Sequence, residues 1–191
     1  MSKIITDQRD IDYAVKHIAE SNFKMTGNVF LEHRRAGNIL HSAWEPTPNT
    51  FTTLGMAHIH NVMWGATAKD SQIYCGLFKN NVTPALADTA AKLGSGNTYG
   101  ECQDADYDDP ATNRDTYDTA VTTTAVGTNA AAKCEFVMDA PITLYGAFLV
   151  NDAAKTSVAG ILICAKAFTV ARAVIADDEI SVGYQITFTS S

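Results

Sequence analysis

Glu179-Ile-Ser-Val-Gly-Tyr-Gln-Ile-Thr-Phe-Thr189, near the end of the chain, decides the fold class. Ile180, Val182, Tyr184, Ile186 and Phe188 fall on one side of an extended backbone, and Glu179, Ser181, Gly183, Gln185, Thr187 and Thr189 fall on the other. Successive side chains leave opposite faces of a pleated strand, so this alternation marks a half-buried antiparallel strand. A helix would scatter the same five apolar groups around its circumference. Working outward, Ala176-Asp177-Asp178 is a turn, and Gly160 introduces another strand over 161–168. Before it, Asn151-Asp152 opens a polar connection containing Lys155, Thr156 and Ser157. Ile142–Val150 is apolar at nearly every position, which predicts a strand covered on both faces. Beyond the Asp139-Ala140-Pro141 break, Cys134, Phe136 and Met138 alternate with Lys133, Glu135 and Asp139. Four strands in close succession predict a mainly β chain, an antiparallel β-sandwich of jelly-roll or Ig-like type.

Toward the N-terminus the period changes. Thr6 can cap a helix over 6–22, with Asp7 and Asp10 in its first turn at the positive end of the helix dipole. Ile11, Val15 and Ile18 recur at i, i+4 and i+7 and form a narrow apolar stripe. Such a stripe covers either the parent domain or a neighbouring subunit, and the sequence leaves both open. Residues 1–26 are therefore read as an N-terminal helical arm and 27–191 as the β-sandwich domain. A strand from Val29 to Arg35 turns at Ala36-Gly37-Asn38 into a return strand from Ile39 to Trp44. Glu45-Pro46-Thr47-Pro48 interrupts helix and sheet alike. A second helix is expected from a cap at Asn49 or Thr50 to Gly65, packed on the sheet through Phe51, Leu54, His58 and Val62 and widened by Met56, Ile59, Met63 and Trp64. Ile73, Cys75 and Leu77 share the face of a further strand. Residues 80–118 read as a long connection holding Asp104, Asp106, Asp108, Asp109, Asp115 and Asp118, and loops of that length carry a function or are anchored by a partner. A short strand over 116–124 and a turn at Gly127-Thr128-Asn129 complete the pattern.

At 191 residues the chain is the size of one domain. A net charge of −7 argues against a nucleic-acid partner, because phosphate binding needs clustered Lys and Arg. No run approaches the ~20 apolar residues of a membrane span, and no basic-plus-apolar leader is visible, so a soluble protein made in a cytoplasm is expected. Cys75, Cys102, Cys134 and Cys164 are far apart and form no C-x-x-C pair, so no zinc ribbon or thioredoxin-like motif is present; they read as buried free thiols, with disulfides or inter-subunit bridges as the alternative.

The segments that could carry chemistry are weak matches. Asp104, Asp106 and Asp108 have the first spacings of a calcium loop, but Asp109 stands where that loop needs Gly, and Pro110 follows. His58 and His60 lie about 200° apart on a helix and cannot grip one metal. No G-x-S-x-G, P-loop, G-x-G-x-x-G or H-E-x-x-H string occurs.

One order of features is nevertheless familiar. Phe30-Leu-Glu-His-Arg-Arg-Ala-Gly-Asn-Ile-Leu40 precedes a helix, then come Ile73-Tyr-Cys-Gly-Leu-Phe78 and Pro84-Ala-Leu-Ala-Asp-Thr89. Leu144-Tyr-Gly-Ala-Phe-Leu-Val150, Asn151-Asp152, a Lys-Thr-Ser loop, a Gly160-led strand and the closing strand of alternating Tyr, Ile and Phe follow. Over about residues 27–191 this resembles a family of virion structural proteins of tailed bacteriophages. The resemblance implies a small β-sandwich without catalytic, cofactor or metal residues. It implies a capsid decoration (cement) protein on the outer head surface, with the major capsid protein and copies of itself as partners in a homo-oligomer, assembled in the host cytoplasm. A neck, tail or fibre-attachment component is the alternative. On either reading Ile11, Val15 and Ile18 would anchor the arm on a partner. An enzyme or metal-dependent binder using the aspartate-rich loop is the competing class.

Overall fold

The computed structural model describes residues 24–120 and 122–190, so the expected helix over 6–22, with Ile11, Val15 and Ile18, lies outside the described residues. Strands β1 (Lys24–Arg35) and β2 (Asn38–Trp44) form the expected hairpin, with Ala36 and Gly37 both at positive φ in the turn. β3 (Thr50–Phe51), helix α1 (Thr53–Trp64) and β4 (Tyr74–Phe78) follow. The long connection contains a 3₁₀ turn at Ala90–Lys92, β5 (Tyr107–Asp109) and β6 (Asp115–Thr116). The chain then runs through β7 (Val126–Thr128), β8 (Cys134–Met138), β9 (Ile142–Val150), β10 (Leu162–Val174) and β11 (Glu179–Thr189).

These strands make two antiparallel sheets, ordered β2-β1-β11-β8-β5 (with β7 also on β11) and β3-β10-β9-β4-β6. β11 lies inside the first sheet, paired with β1 from Lys24↔Thr189 to Arg34↔Glu179 and with β8 from Cys134↔Val182 to Val137↔Glu179. That register aligns Val29 with Tyr184, Leu31 with Val182 and Phe136 with Ile180, so one face of the sheet is continuously apolar. These side chains share a core with Cys75, Leu77, Leu144, Leu149, Ile163 and Cys164 of the second sheet. Each such residue, once fully buried, contributes about 1.5–3 kcal/mol.

The second sheet is covered on its other face as well. Phe78, Phe148, Val150 and Leu162 pack there against Ala90, Leu93 and Tyr99 of the long connection. This is the two-sided burial that the unbroken apolar run of β9 requires. The connection is thus a covering layer tied to its own domain.

Several boundaries differ from the sequence expectation. Thr50 and Phe51 are extended, not helical: Phe51 pairs with Cys164 and is buried in the core. α1 begins after them, capped by Thr52, whose Oγ1 accepts from the Gly55 N–H at 2.9 Å. Its apolar side is also less used than expected, since Leu54, Met56, Met63 and Trp64 are exposed while Ile59 reaches the core. The reason is a flush contact at Gly55, where a Cβ would stand 2.3 Å from the Ile163 carbonyl oxygen. The helix meets β10 through its backbone, and few of its side chains lie between them. Gly65 closes α1 at φ −99°, not in the left-handed form expected of a C-cap glycine. Gly127 and Thr128 belong to β7 and do not form a turn, β6 ends at Thr116, β1 starts back at Lys24, and β10 runs on to Val174. The extension of β10 is made possible by an irregularity between Ala167 and Arg172, where Thr169 leaves the ladder and donates from N and Oγ1 to Glu45 Oε2, both at 2.7 Å.

Gly55→Ala sets two effects against each other. Helix propensity favours Ala by about 1 kcal/mol, whereas a backbone clash with β10 costs about 1–3 kcal/mol. Clash should win, so the urea midpoint of the variant should fall; a rise would show that α1 is not held flush on β10.

Candidate functional site

Charged groups are buried or half-buried at several places, Asp88 beside Tyr99 and Glu45 beside Thr169 among them, and three clusters tie distant segments together. The first joins the long connection to the β9–β10 loop. Arg114 and Glu101 are both fully buried, and Arg114 Nε and Nη2 donate to the two Glu101 oxygens at 2.6 and 2.7 Å. Nη1 also donates to the Asp152 carbonyl at 2.7 Å, and Nη2 to that of Ser157 at 2.9 Å. Glu101 Oε2 accepts the Thr156 N–H at 3.0 Å, and the guanidinium lies over Phe148, 5.4 Å from its ring centre. Burial pushes the Glu101 carboxyl above its usual range, opposed by the Arg114 hydrogen bonds. Beside the pair, Lys155 Nζ donates to the Tyr107 carbonyl at 2.9 Å and sits 3.8 Å from the centre of the Tyr107 ring. The Asn151-to-Ser157 loop, prominent in the sequence resemblance, therefore serves as a cradle for an internal ion pair.

The second cluster centres on Asp178 in the β10–β11 turn. Its carboxylate accepts Arg35 Nε at 2.8 Å and Nη2 at 2.7 Å, the Ile175 N–H at 2.9 Å, and lies 2.9 Å from His33 Nε2. The Arg35 hydrogen bonds, with those of Ile175 and His33, hold its carboxyl far below the usual carboxylate range against the opposing effect of burial. The third is His58 on α1, whose Nε2 is 2.5 Å from Asp70 Oδ2, while Asp70 Oδ1 accepts Asn151 Nδ2 at 3.0 Å. It borders an apolar cavity of about 230 Å³ walled by Ile59, Val62, Met63, Ile73, Leu149 and Ile163. This His–carboxylate pair pins the segment after α1 to β9; the apolar walls offer room for an aliphatic group and little to orient a polar one.

The aspartates of the long connection diverge. Asp106 takes Lys79 Nζ at 2.6 Å and the Gln103 N–H at 2.8 Å, while Asp104 pairs with Lys155. Asp115 accepts the N–H groups of Thr116 and Glu135, both at 2.7 Å, and Asp118 accepts Gln72. Among the described residues no group of three or more His, Cys, Asp or Glu side chains could hold a metal ion. The four cysteines are buried as free thiols, all of them within the shared core, and burial raises the Cys75, Cys102 and Cys164 thiols well above their ordinary value.

Several large apolar side chains are left uncovered, most of them on β2 and α1. Ile39, Leu40 and Trp44 of edge strand β2 are 55%, 53% and 46% exposed, and Leu54, Met56, Met63 and Trp64 stand out from α1. The outer face of the first sheet carries Glu32, Arg34, Lys133, Glu135 and Glu179 around an open groove of about 400 Å³. Sequence reasoning did not single out Arg114, Glu101 or Asp178, whose partners are far apart in the chain. One signal was available, since Arg114 is the only basic residue between Lys92 and Lys133, inside an acidic stretch. No described helix is long and apolar enough to cross a membrane. Neither the family models, nor the curated proteins, nor the solved structures give a match to this chain.

A double-mutant cycle tests the first cluster. Arg114→Met or Glu101→Leu alone should each cost about 3–5 kcal/mol, because a buried charge is left without its partner, and the double variant should recover much of that loss. Additive losses in urea unfolding would mean that the two charges are not coupled.

Asp178 generates a pH prediction. Its folded carboxyl titrates below the unfolded value of about 3.9, so its stabilisation is present above that pH and is lost as pH falls from about 4 toward the folded value. Asp178→Asn should cost about 2–3 kcal/mol at neutral pH, and its deficit against wild type should shrink below pH ~4. A deficit that is the same at pH 7 and pH 3 would contradict this assignment.

Proposed function

We propose that this chain is a non-enzymatic structural protein of a tailed-phage virion, a capsid decoration protein that stabilises the head by bridging major capsid subunits from outside. The observation that carries this reading is the set of large apolar side chains left exposed on β2 and α1. The buried ions Arg114, Glu101 and Asp178 are held by one another and by backbone groups. The large apolar side chains of β2 and α1 point outward. Exposed apolar side chains, where they gather into a patch, mark sites of protein association. The two sheets, sharing one core and exchanging the chain at β2–β3, β4–β5, β5–β6, β6–β7, β8–β9 and β10–β11, support a β-sandwich of jelly-roll or Ig-like type. On this reading the N-terminal helical arm, with Ile11, Val15 and Ile18 as its anchors, adds a second attachment point per copy, and several weak contacts then combine through effective concentration. A neck, tail or fibre-attachment component is the alternative, and stoichiometry separates the two.

Purified protein mixed with undecorated heads should bind in numbers comparable to the major capsid protein and raise the temperature at which heads rupture. Deleting residues 1–22 should lower that occupancy while the β domain remains folded. Occupancy restricted to a single vertex or ring would favour the neck or tail reading, and no binding to heads or tails would reject both.

A further inference from the structure

The ends of the two sheets are treated very differently. β3 and β6 are two residues long and β5 is three. β3 follows Pro48, β6 contains Asp115, and β5 carries Asp108 and Asp109 and runs into Pro110. Short edges with charge or proline are how soluble β proteins prevent strand addition. β2 is neither short nor charged nor interrupted by proline, and its one irregularity is a bulge at Leu40, between the pairs His33↔His41 and Arg34↔Ile39. It spans seven residues, Asn38–Trp44, contains no Lys, Arg, Asp, Glu or Pro, and exposes Ile39, Leu40 and Trp44.

The β1–β2 register shows which backbone groups on this edge are free. The Glu45 N–H donates to the Val29 carbonyl at 2.8 Å, so Val29 and Glu45 are a hydrogen-bonded pair. Bonded and non-bonded pairs alternate along an antiparallel ladder. Leu31↔Ala43 and His33↔His41 are therefore bonded, whereas Phe30↔Trp44 and Glu32↔Ser42 are not. The N–H and C=O groups of Ser42 and Trp44 accordingly point away from β1. Among the described residues, β1 is the only strand paired with β2.

We propose that β2 is a self-pairing edge, and that two copies of this chain join β2 to β2 antiparallel about a two-fold axis at Ser42. In this register Ser42 faces Ser42 of the second copy as a hydrogen-bonded pair, and the Trp44 indole lies across from Leu40. The occupant is a second copy because the strand reads alike in both directions from its centre, with a polar residue at Ser42 and a large apolar one two positions to either side. It also carries no side-chain charge by which a charged partner would be selected. A two-fold interface requires such self-complementarity. The result is one continuous sheet through both molecules, with its mixed-charge outer face uncovered. This inference does not rest on the virion reading: a monomer in solution would leave head binding untested, and failure to bind heads would leave the dimer standing.

Sedimentation equilibrium of the full chain at micromolar concentrations should give a dimer. Leu40→Lys places a charge opposite Trp44 of the second copy, and Ser42→Pro removes an outward N–H that β1 does not use; both should sediment as monomers with unchanged circular dichroism. Should Ser42→Pro fail to fold, Leu40→Lys still decides. As a readout of register, Ser42→Cys should form a dimer disulfide on mild oxidation and Asn38→Cys should not. A monomeric wild type, a dimer that survives Leu40→Lys, or equal cross-linking at 38 and 42 would overturn the proposal.

Discussion

The Arg114 guanidinium, buried against Glu101, is the interaction on which the rest of the arrangement depends. The sheet containing β9 is apolar on both faces, and one of those faces is covered by an irregular connection instead of a second sheet. Irregular backbone brings unpaired carbonyl and N–H groups into the interior, where each costs free energy unless it is hydrogen-bonded. Arg114 meets the Asp152 and Ser157 carbonyls, and Glu101 meets the Thr156 N–H. One ion pair therefore satisfies the loops on both sides of it. Its contribution is specificity of arrangement more than net stability, because desolvating the two ions offsets much of their mutual attraction.

Asp178 performs a comparable task at another turn. It gathers Arg35 and His33 of β1 onto the connection between the sheets, while its own backbone carbonyl accepts the Met138 N–H of β8. The chain crosses there from the second sheet to the first, and a tight crossing leaves backbone groups that neither ladder can pair.

The period-two stretches were readable because their cause is local. A strand with one covered face has to alternate, so β11, β8 and the β1–β2 hairpin could be drawn from residue order, and the doubly covered β9 from its unbroken apolar run. Thr50 and Phe51 were misread because nothing nearby distinguishes a strand from the first turn of a helix there; pairing with Cys164 decides it. The helical stripe Leu54, Met56, Met63 and Trp64 resembled a core face, yet Gly55 sets the helix so close to β10 that those side chains turn outward. The candidate surface was less legible still, since Ile39, Leu40 and Trp44 look like any strand residues until β2 is known to be an edge.

The amino-acid order by itself determined that the chain is mainly β and where most strands run, and it marked 80–118 as a long connection that carries a function or is anchored. Only the tertiary structure decided what that anchor is, which strands end the sheets and which apolar side chains stay uncovered. Alternation is enforced between neighbours in sequence, whereas edges, ion-pair partners and flush backbone contacts are set by residues that folding brings together from distant parts of the chain.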